Sequence, residues 1–390
     1  MTNQAKILTC VVALLPSAAP VIAAQASDYF PPAGSKGGWR KNTSASFVQS
    51  LGIDPVKAKE FVDYWAGLRN DQTSIIIKDG WIVAEAGPGQ NIRLASNGKA
   101  ISIALFGVML KNRGTQNIPA DLSLDSKVYD KRWLPQGFPL SDSRKSQITF
   151  RHLFRHTSGI QPEGLGGSDR GGDRDLVRYK LGLDPSNQGA AQLYFDPGHP
   201  EQAALQYTSV GFEHIPIIVQ NLTKGMVSLD ANVATGNLGK DYLNQNPLKP
   251  IGIGSYTACW QGSGGPNLKP RDYARFAYLL LHDGEWNGNK MVPQGWIEQF
   301  RTTCSYPNLY GNTTTKATGY AGQWPQPYSY FGDYDGAKYP QDLFWIGGSG
   351  FQVACIVPSL NLIALKGGPT KSHGSSAQLL EKLFAAVKAR

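Results

Sequence analysis

Short apolar segments typical of strands lie near both ends of the chain, and segments with helical spacing lie between them. Near the amino end, residues 45–68 are predicted as a helix, and residues 74–77 and 81–84 as a β-hairpin around Asp79-Gly80. The segments predicted near the other end are a strand, a second strand after a turn at Pro358-Ser359, and a final amphipathic helix: residues 345–357, 362–366 and 375–388. The pattern therefore predicts an antiparallel sheet formed by the two ends of the chain.

The segments with helical spacing between these ends are residues 96–111, 148–160, 210–222, 271–282 and 296–300. The helix predicted over 96–111 is apolar on nearly every side, as expected for a helix buried within a domain. Together the elements predict an α+β fold, with a discontinuous sheet domain of residues 28–115 and 290–390 and a mainly helical domain of residues 116–289. The glycine-rich stretch 164–172 is either a substrate-gating loop or a plain surface loop.

The composition of the 390 residues is that of a globular protein, with 41% hydrophobic and 17% charged residues. The formal net charge is +9, but the basic residues are scattered along the chain. No recognised binding motif accompanies this charge, so nucleic acid is not expected as a partner.

Residues 1–26 have the pattern of a secretory signal peptide. Lys6 supplies a positive start, residues 7–15 an apolar core, and Ala24-Gln25-Ala26 a small-residue cleavage pattern. The apolar run is short for a membrane span, so cleavage is favoured over anchoring. We therefore expect a secreted or periplasmic protein with no stable membrane insertion after cleavage.

Three cysteines remain once Cys10 leaves with the signal: Cys259, Cys304 and Cys355. An odd number allows at most one disulfide within a chain, and an oxidising compartment favours Cys259 with Cys304. Cys355 lies in an apolar run and is expected to be a buried strand residue. The spacings do not match a structural zinc site, and neither a metal nor an organic cofactor is implied.

The chemistry of the chain is indicated first by Ser96 and Lys99, which form an S-x-x-K tetrapeptide at the start of the buried helix. On a helix these two side chains lie one turn apart on the same face. The unpaired N–H groups of the first turn favour negative charge that develops on the serine oxygen, and a neutral lysine can accept the serine proton. Because S-x-x-K also occurs by chance, the assignment depends on the rest of the chain.

Two further motifs follow in order, Tyr207-Thr208-Ser209 and the glycine-rich segment at 345–350. With Ser96-Asn97-Gly98-Lys99 they resemble the serine β-lactamase and penicillin-binding-protein superfamily. Its class C-like branch, which includes esterases, D-amino-acid peptidases and 6-aminohexanoate-dimer hydrolases, is the most similar. Supporting segments are R-H-L-F-R-H-T-S-G-I at 151–160, F-x-P-G at 195–198 and R-D-Y-A-R-F at 271–276. The resemblance spans roughly residues 45–385. It implies a β-lactamase-like antiparallel sheet flanked by helices, an inserted helical domain and an active site in the cleft between them.

The resemblance also implies roles for individual residues. Ser96 would be the acylated nucleophile, with Lys99 as its proton acceptor. Tyr207 would act with Lys99 as general base and then return the proton to the leaving group, because an adjacent ammonium stabilises a phenolate. The N–H groups of Ser96 and Gly348 would form the oxyanion hole, with the strand register open by one or two residues, and the adjacent Gly347 allows close approach of a substrate carbonyl.

Two departures from the family pattern concern substrate binding. Ser209 stands where the family's Y-x-N motif has asparagine, and Trp345 where its K-T-G or H-x-G triad has a cation or imidazole. Both changes weaken contacts to a β-lactam or a D-Ala-D-Ala peptide, and a tryptophan in the pocket favours an apolar ester or amide chain.

The sequence therefore predicts a serine hydrolase of small-molecule carboxylic esters or amides. A D-Ala-D-Ala carboxypeptidase or a β-lactamase is the alternative with the same mechanism. A catalytically silent penicillin-recognising binding protein is the alternative of another class. The chain contains neither a G-x-S-x-G elbow nor an H-E-x-x-H zinc motif.

Overall fold

The computed structural model describes residues 29–160, 177–183, 192–198, 208–229, 238–254, 260–301, 304–305, 316–317, 338–340 and 342–388. The predicted signal peptide, the stretch 164–172, Tyr207 and Cys259 lie outside these ranges. The predictions made for them remain predictions.

The described residues form helices on both sides of a central sheet. The α-helices are α1 Ala45–Ser50, α2 Pro55–Gly67, α3 Gly98–Lys111, α4 Phe150–Phe154, α5 Val177–Lys180, α6 Val210–Thr223, α7 Lys240–Leu243, α8 Pro270–Leu281, α9 Glu298–Arg301 and α10 Ser376–Ala386. The strands are β1 Thr73–Lys78, β2 Trp81–Ala86, β3 Ile92–Arg93, β4 Asn267–Leu268, β5 Glu285–Trp286, β6 Asn289–Lys290, β7 Cys304–Ser305, β8 Lys316–Ala317, β9 Phe344–Gly348, β10 Gln352–Val357 and β11 Leu362–Gly367.

The main sheet has five strands in the order β2-β1-β11-β10-β9, and all neighbours are antiparallel. Strands β1 and β2 come from the amino-terminal part and β9–β11 from the carboxyl-terminal part. The prediction of an α+β fold with an antiparallel sheet built from both ends is confirmed. The domain boundaries at residues 115 and 290 remain a prediction.

Side chains on the two faces of the sheet belong to different hydrophobic cores because they alternate along each strand. On β9, Phe344 and Ile346 pack into the core that contains α3 and α8, which we call the inner core. Trp345 packs into the core that contains α1, α2 and α10, which we call the outer core. The S-x-x-K motif at the start of α3 therefore lies on the inner side of the sheet.

The helix predicted over 96–111 is confirmed as α3, and every residue from Gly98 to Leu110 is buried. Burial of this helix holds the S-x-x-K motif on a rigid element. None of the described helices is both long and apolar enough to cross a membrane.

The single strand predicted over 345–357 is instead a hairpin of β9 and β10. The chain reverses between them, where Gly350 and Phe351 adopt positive φ angles of 85° and 59°. The reversal occupies only the short stretch Ser349-Gly350-Phe351 between two apolar segments, and the prediction joined these segments into one strand. The turn predicted at Pro358-Ser359 is present and joins β10 to β11 through Pro358–Leu360. It ends at Asn361, which has a φ of 44°.

Two predicted helices are also shorter in the structure. The helix predicted over 45–68 divides into α1 and α2, because Asp54 caps α2 by accepting hydrogen bonds from the N–H groups of Val56 and Lys57. The helix predicted over 148–160 ends at Phe154, and His156 and Gly159 beyond it have φ of 54° and 79°. In the first case the apolar residues Leu51 and Ile53 bridge the break, whereas in the second the residues after Phe154 are polar until Ile160.

Cys355 is buried in β10 as predicted, and burial raises the pKa of its thiol to about 12. The backbone of Cys304 lies in β7. The Cys304 side chain and the whole of Cys259 are not among the parts of the chain that the structure describes. A disulfide between Cys259 and Cys304 therefore stays a prediction.

Candidate active site

Ser96 lies in a one-turn 3-10 helix, Ala95–Asn97, that runs directly into α3. Ala95 adopts a φ of 48°, which is uncommon for a residue with a side chain and costs roughly 1–3 kcal/mol. The Ser96 side chain is partly exposed, whereas Lys99 is fully buried. The turn thus presents the serine toward solvent at the amino end of a buried helix.

The Lys99 ammonium nitrogen is within hydrogen-bond distance of three oxygen atoms. It donates to Ser96 Oγ at 3.3 Å, to Ser209 Oγ at 3.0 Å and to the carbonyl oxygen of Ser263 at 3.3 Å. The geometry brings the two residues of the S-x-x-K motif together with the third residue of the Tyr207-Thr208-Ser209 motif. A lysine in this position can exchange a proton with the serine hydroxyl.

The asparagine and glycine inside the motif fix the shape of the turn. Asn97 is buried, and its amide donates to the carbonyl oxygens of Leu94 at 2.8 Å and of Gln352 in β10 at 3.0 Å. A Cβ atom on Gly98 would lie 2.5 Å from the carbonyl carbon of Gly264, so the loop that contains Gly264 packs directly on the start of α3. The turn is therefore held from the sheet on one side and from this loop on the other.

Strand β9 reaches the same turn through Gly348. A Cβ atom there would lie 2.3 Å from the carbonyl oxygen of Leu94 and 2.9 Å from the Asn97 amide nitrogen. Only a glycine permits this approach of the strand to the serine turn. Around an added Cβ at Gly347, by contrast, there is nothing within 4 Å.

Trp345 does not lie on the side of the sheet that faces the serine turn. Its side chain is 4% exposed and packs in the outer core, while the side chain that β9 turns toward α3 is that of Ile346. The assignment of Trp345 to the substrate pocket is therefore corrected: strand alternation directs it to the opposite face. The position that faces the inner core is still apolar and uncharged.

Ser209 contacts Lys99, whereas Tyr207 lies just outside the described residues. Its neighbour Thr208 is placed, and the Thr208 N–H donates to His156 Nδ1 at 3.1 Å. Burial, with a smaller contribution from the Lys99 charge, holds the pKa of His156 well below its usual value. His156 is therefore a neutral hydrogen-bond acceptor that fixes the segment next to Tyr207.

Three residues near the site were not identified from the sequence. Ser263 accepts a hydrogen bond from Lys99 through its carbonyl and donates its hydroxyl to Glu213 at 2.6 Å. Glu213 forms an ion pair with Lys180, and both side chains are at most 4% exposed. The only signal in the sequence is a glutamate inside the apolar pattern of α6. No group of three or more His, Cys, Asp or Glu side chains suited to a metal ion occurs among the described residues.

The β-lactamase family model matches residues 59–199, a range that includes Ser96 and Lys99 and ends before Tyr207. This match covers less than half of the chain and shows that the segment carrying the S-x-x-K motif is similar to the β-lactamase family. No curated protein sequence matches the chain significantly.

Solved structures share this fold at low sequence identity. A protein from Bacteroides dorei, provisionally assigned as a β-lactamase, is 17% identical, with a TM-score of 0.62 over 86% of this chain and 99% of its own. EstCE1, a hydrolase with promiscuous acyltransferase activity, is 15% identical, with a TM-score of 0.59 over 88% and 100%. A Bacillus anthracis protein, provisionally assigned as a 6-aminohexanoate-dimer hydrolase, is 16% identical, with a TM-score of 0.54 over 92% and 86%. At these identities the similarity establishes the fold.

Proposed function

We propose that this protein belongs to the serine β-lactamase and penicillin-binding-protein superfamily and is a serine hydrolase that cleaves carboxylic esters or small amides through an acyl-enzyme on Ser96. The observation that carries the proposal is the arrangement around Lys99, which is fully buried and lies 3.3 Å from the partly exposed Ser96 hydroxyl. A buried lysine nitrogen needs hydrogen-bond partners, and the surrounding hydroxyl and carbonyl oxygens supply them. The arrangement fits proton transfer during attack by a nucleophilic serine.

In the proposed acylation step, Ser96 Oγ attacks the carbonyl carbon of the substrate. Its proton passes to the neutral amine of Lys99, with Tyr207 sharing this role. The bond to the leaving alcohol or amine then breaks, and the leaving group takes up the proton. Water attacks the resulting ester on Ser96, releases the carboxylic acid and restores the hydroxyl. A general base and acid of this kind contribute about 10²- to 10⁴-fold to the rate.

The negative charge of the tetrahedral intermediate would be stabilised by backbone N–H groups at the junction between the serine turn and β9. Gly348 supports this assignment because the strand approaches the turn there. A Cβ atom added to Gly348 would lie 2.3 Å from the carbonyl oxygen of Leu94. The start of α3 adds the positive end of a helix dipole at the same point. Gly347 and Gly348 together allow a substrate carbonyl to approach the backbone.

The preference for esters or small amides rests on the side chains of β9. The segment Phe344–Gly348 carries no charged residue, and Ile346 is the side chain directed to the inner core. A substrate carboxylate, as in a β-lactam or a D-Ala-D-Ala peptide, would find no cation on this strand. EstCE1 is a hydrolase of the same fold, which is compatible with ester substrates.

The proposal is tested with a fluorophosphonate probe and with p-nitrophenyl acetate as chromogenic ester. We expect the parent protein to be labelled on Ser96, and Ser96→Ala to lose ester turnover by about 10⁴-fold or more. Labelling and turnover of Ser96→Ala at the parent rate would show that another residue is the nucleophile.

The same assay separates the alternative substrates. Nitrocefin turnover, or a stable mass increase on Ser96 with benzylpenicillin, would favour a β-lactamase or a D-Ala-D-Ala carboxypeptidase. Absence of labelling by all these reagents would favour a non-catalytic penicillin-recognising protein.

Export belongs to the same proposal. We expect the mature protein, secreted or periplasmic, to begin after Ala24 or Ala26, which amino-terminal sequencing of exported protein tests.

A further inference from the structure

The carbonyl oxygen and the hydroxyl of Ser263 make hydrogen bonds on opposite sides of the loop that carries them. The carbonyl accepts from Lys99 at 3.3 Å, and the hydroxyl donates to Glu213 Oε1 at 2.6 Å. The preceding residue, Gly262, accepts a hydrogen bond at 2.5 Å from Ser102, one turn after Lys99 on α3. The loop is therefore bonded to α3 on one side and to α6 on the other.

The amino end of helix α6 contributes two residues to this arrangement, Ser209 and Glu213. Ser209 precedes the helix and lies 3.0 Å from the Lys99 nitrogen, and Glu213 lies four residues later, so both are on one side of the first turn. A Cβ on Gly262 would lie 2.2 Å from the carbonyl oxygen of Phe212, which shows that the loop is pressed onto the same turn. A displacement of the loop from α6 would move a partner of Lys99.

Glu213 is a carboxylate with 4% of its side chain exposed, and its ion-pair partner is Lys180, with 2% exposed. A carboxylate at such depth needs both a counter-charge and hydrogen bonds. Lys180 supplies the charge, and the Ser263 hydroxyl supplies a hydrogen bond. Because the pair has no net charge, Glu213 can hold Ser263 without adding a net negative charge next to Lys99.

We propose that Glu213 is a positioning residue that holds Lys99 in register with Ser96 through the Ser263 loop, with Lys180 as the counter-ion that keeps Glu213 buried. The inference rests on the proposed serine hydrolase function, because it concerns the base of that reaction. Glu213 acts through Ser263 and does not touch the reacting atoms.

The test uses two double variants, one of which keeps a hydrogen-bond acceptor for Ser263 while the other does not. Glu213→Gln with Lys180→Met removes both buried charges but keeps an amide oxygen for the Ser263 hydroxyl. Glu213→Leu with Lys180→Met removes the charges and the acceptor together. We expect the glutamine variant to react with the fluorophosphonate about 10 to 100 times faster than the leucine variant, since a misplacement of about 1 Å can cost 10²-fold.

A second pair of variants changes Ser263 alone and applies even if a double variant fails to fold. Ser263→Ala keeps the carbonyl that Lys99 contacts but loses the hydroxyl, whereas Ser263→Thr retains the hydroxyl. We expect Ser263→Ala to lower kcat for p-nitrophenyl acetate with little change in KM, and Ser263→Thr to recover most of the rate. A merely structural role would reduce the amount of labelled protein but not the rate constant of the folded fraction.

Equal rate constants for the glutamine and leucine double variants, or a Ser263→Ala protein that reacts like the parent, would overturn the inference. Failure of the hydrolase function itself appears differently, as a parent protein that does not react or a Ser96→Ala protein that reacts equally. In that case crystal structures of the parent and Ser263→Ala decide the positioning role. The inference is wrong if the Lys99 nitrogen keeps its distances to Ser96 Oγ and Ser263 O.

Discussion

Gly348 is the residue at which strand β9 approaches the turn that carries Ser96. A methyl group at this position would meet backbone at 2.3 Å, at the carbonyl oxygen of Leu94, and backbone cannot rotate aside as a side chain can. At Gly347, one residue earlier, an added methyl group would meet nothing within 4 Å. Two adjacent glycines therefore have different physical roles, and only the contacts distinguish them.

We expect Gly348→Ala to reduce ester turnover by about 10²- to 10³-fold, the usual effect of losing one oxyanion donor, because the strand must shift away from the serine turn. The free energy of unfolding should fall by about 1–3 kcal/mol from overpacking. Gly347→Ala is the matched variant, and its urea unfolding midpoint should lie close to that of the parent. Equal midpoints for the two variants would show that β9 does not press on the turn as described.

Strand β9 sends side chains into both hydrophobic cores, and Trp345 belongs to the outer core. Its position opposite Cys355 in the register places it between the sheet and the helices α1, α2 and α10. A side chain there contributes to stability through buried area, not through contact with a substrate. The sequence motif predicted this tryptophan next to Ser96, but the period of two along a strand places its side chain on the other face of the sheet.

Replacement of Trp345 by alanine should lower the free energy of unfolding by about 3–5 kcal/mol, as for other buried tryptophans. Trp345→Phe, which keeps an aromatic ring in the outer core, should cost less. For the folded fraction of both variants, the KM ratio between acetate and octanoate p-nitrophenyl esters should match that of the parent. A selective rise of KM for the longer ester would return Trp345 to the substrate pocket.

The elements that the sequence predicted well are those in which the hydrophobic period and the backbone agree. Helix α3 and strand β11 are examples, since both are buried along their length. The errors occurred where the backbone changes direction within a predicted segment, at Gly350-Phe351 and after Phe154. A positive φ of 59° at a phenylalanine follows from its tertiary contacts and has no signature in the hydrophobic pattern.

The residues of the candidate site also fall into those that the sequence predicted and those that it did not. Ser96 and Lys99 were predictable because a helix turn brings them together locally. Ser263 and Glu213 were not, because Ser263 meets Lys99, and Glu213 meets Ser263, only when a loop and a helix more than 100 residues away in the chain pack against α3.

Across the whole molecule, two buried lysines link stability to pH. Lys366 in β11 donates to the carbonyl oxygen of Phe351 at 2.9 Å, and burial lowers its pKa to about 7, with Asp71 opposing the shift. Lys145 donates to Ser141 Oγ at 2.8 Å, and burial lowers its pKa to about 8, with Asp142 opposing the shift. In the unfolded chain both groups keep their protons up to about pH 10.5, the usual lysine value.

Between pH 7 and about 10.5 the unfolded state therefore binds more protons than the native state, so stability should rise with pH in this window. Each lysine contributes up to about 1.4 kcal/mol per pH unit to the slope of the unfolding free energy. Below pH 7 the lysines are protonated in both the native and the unfolded state, so they contribute no slope. Urea unfolding at pH 7, 8 and 9 measures the slope. Lys366→Met should reduce the slope by the contribution of one titrating group, up to about 1.4 kcal/mol per pH unit. A slope equal to that of the parent would exclude Lys366 as a source of the pH dependence.

The sequence by itself determined the α+β class, the buried helix α3 and the pairing of Ser96 with Lys99. These features depend on local periodicity and on residues one helix turn apart. Only the tertiary structure decided which face of β9 meets the Ser96 turn and which distant residues hydrogen-bond to Lys99. It also decided where the long apolar runs divide into separate elements. The first two outcomes depend on contacts between distant segments, which the order of residues along the chain does not display.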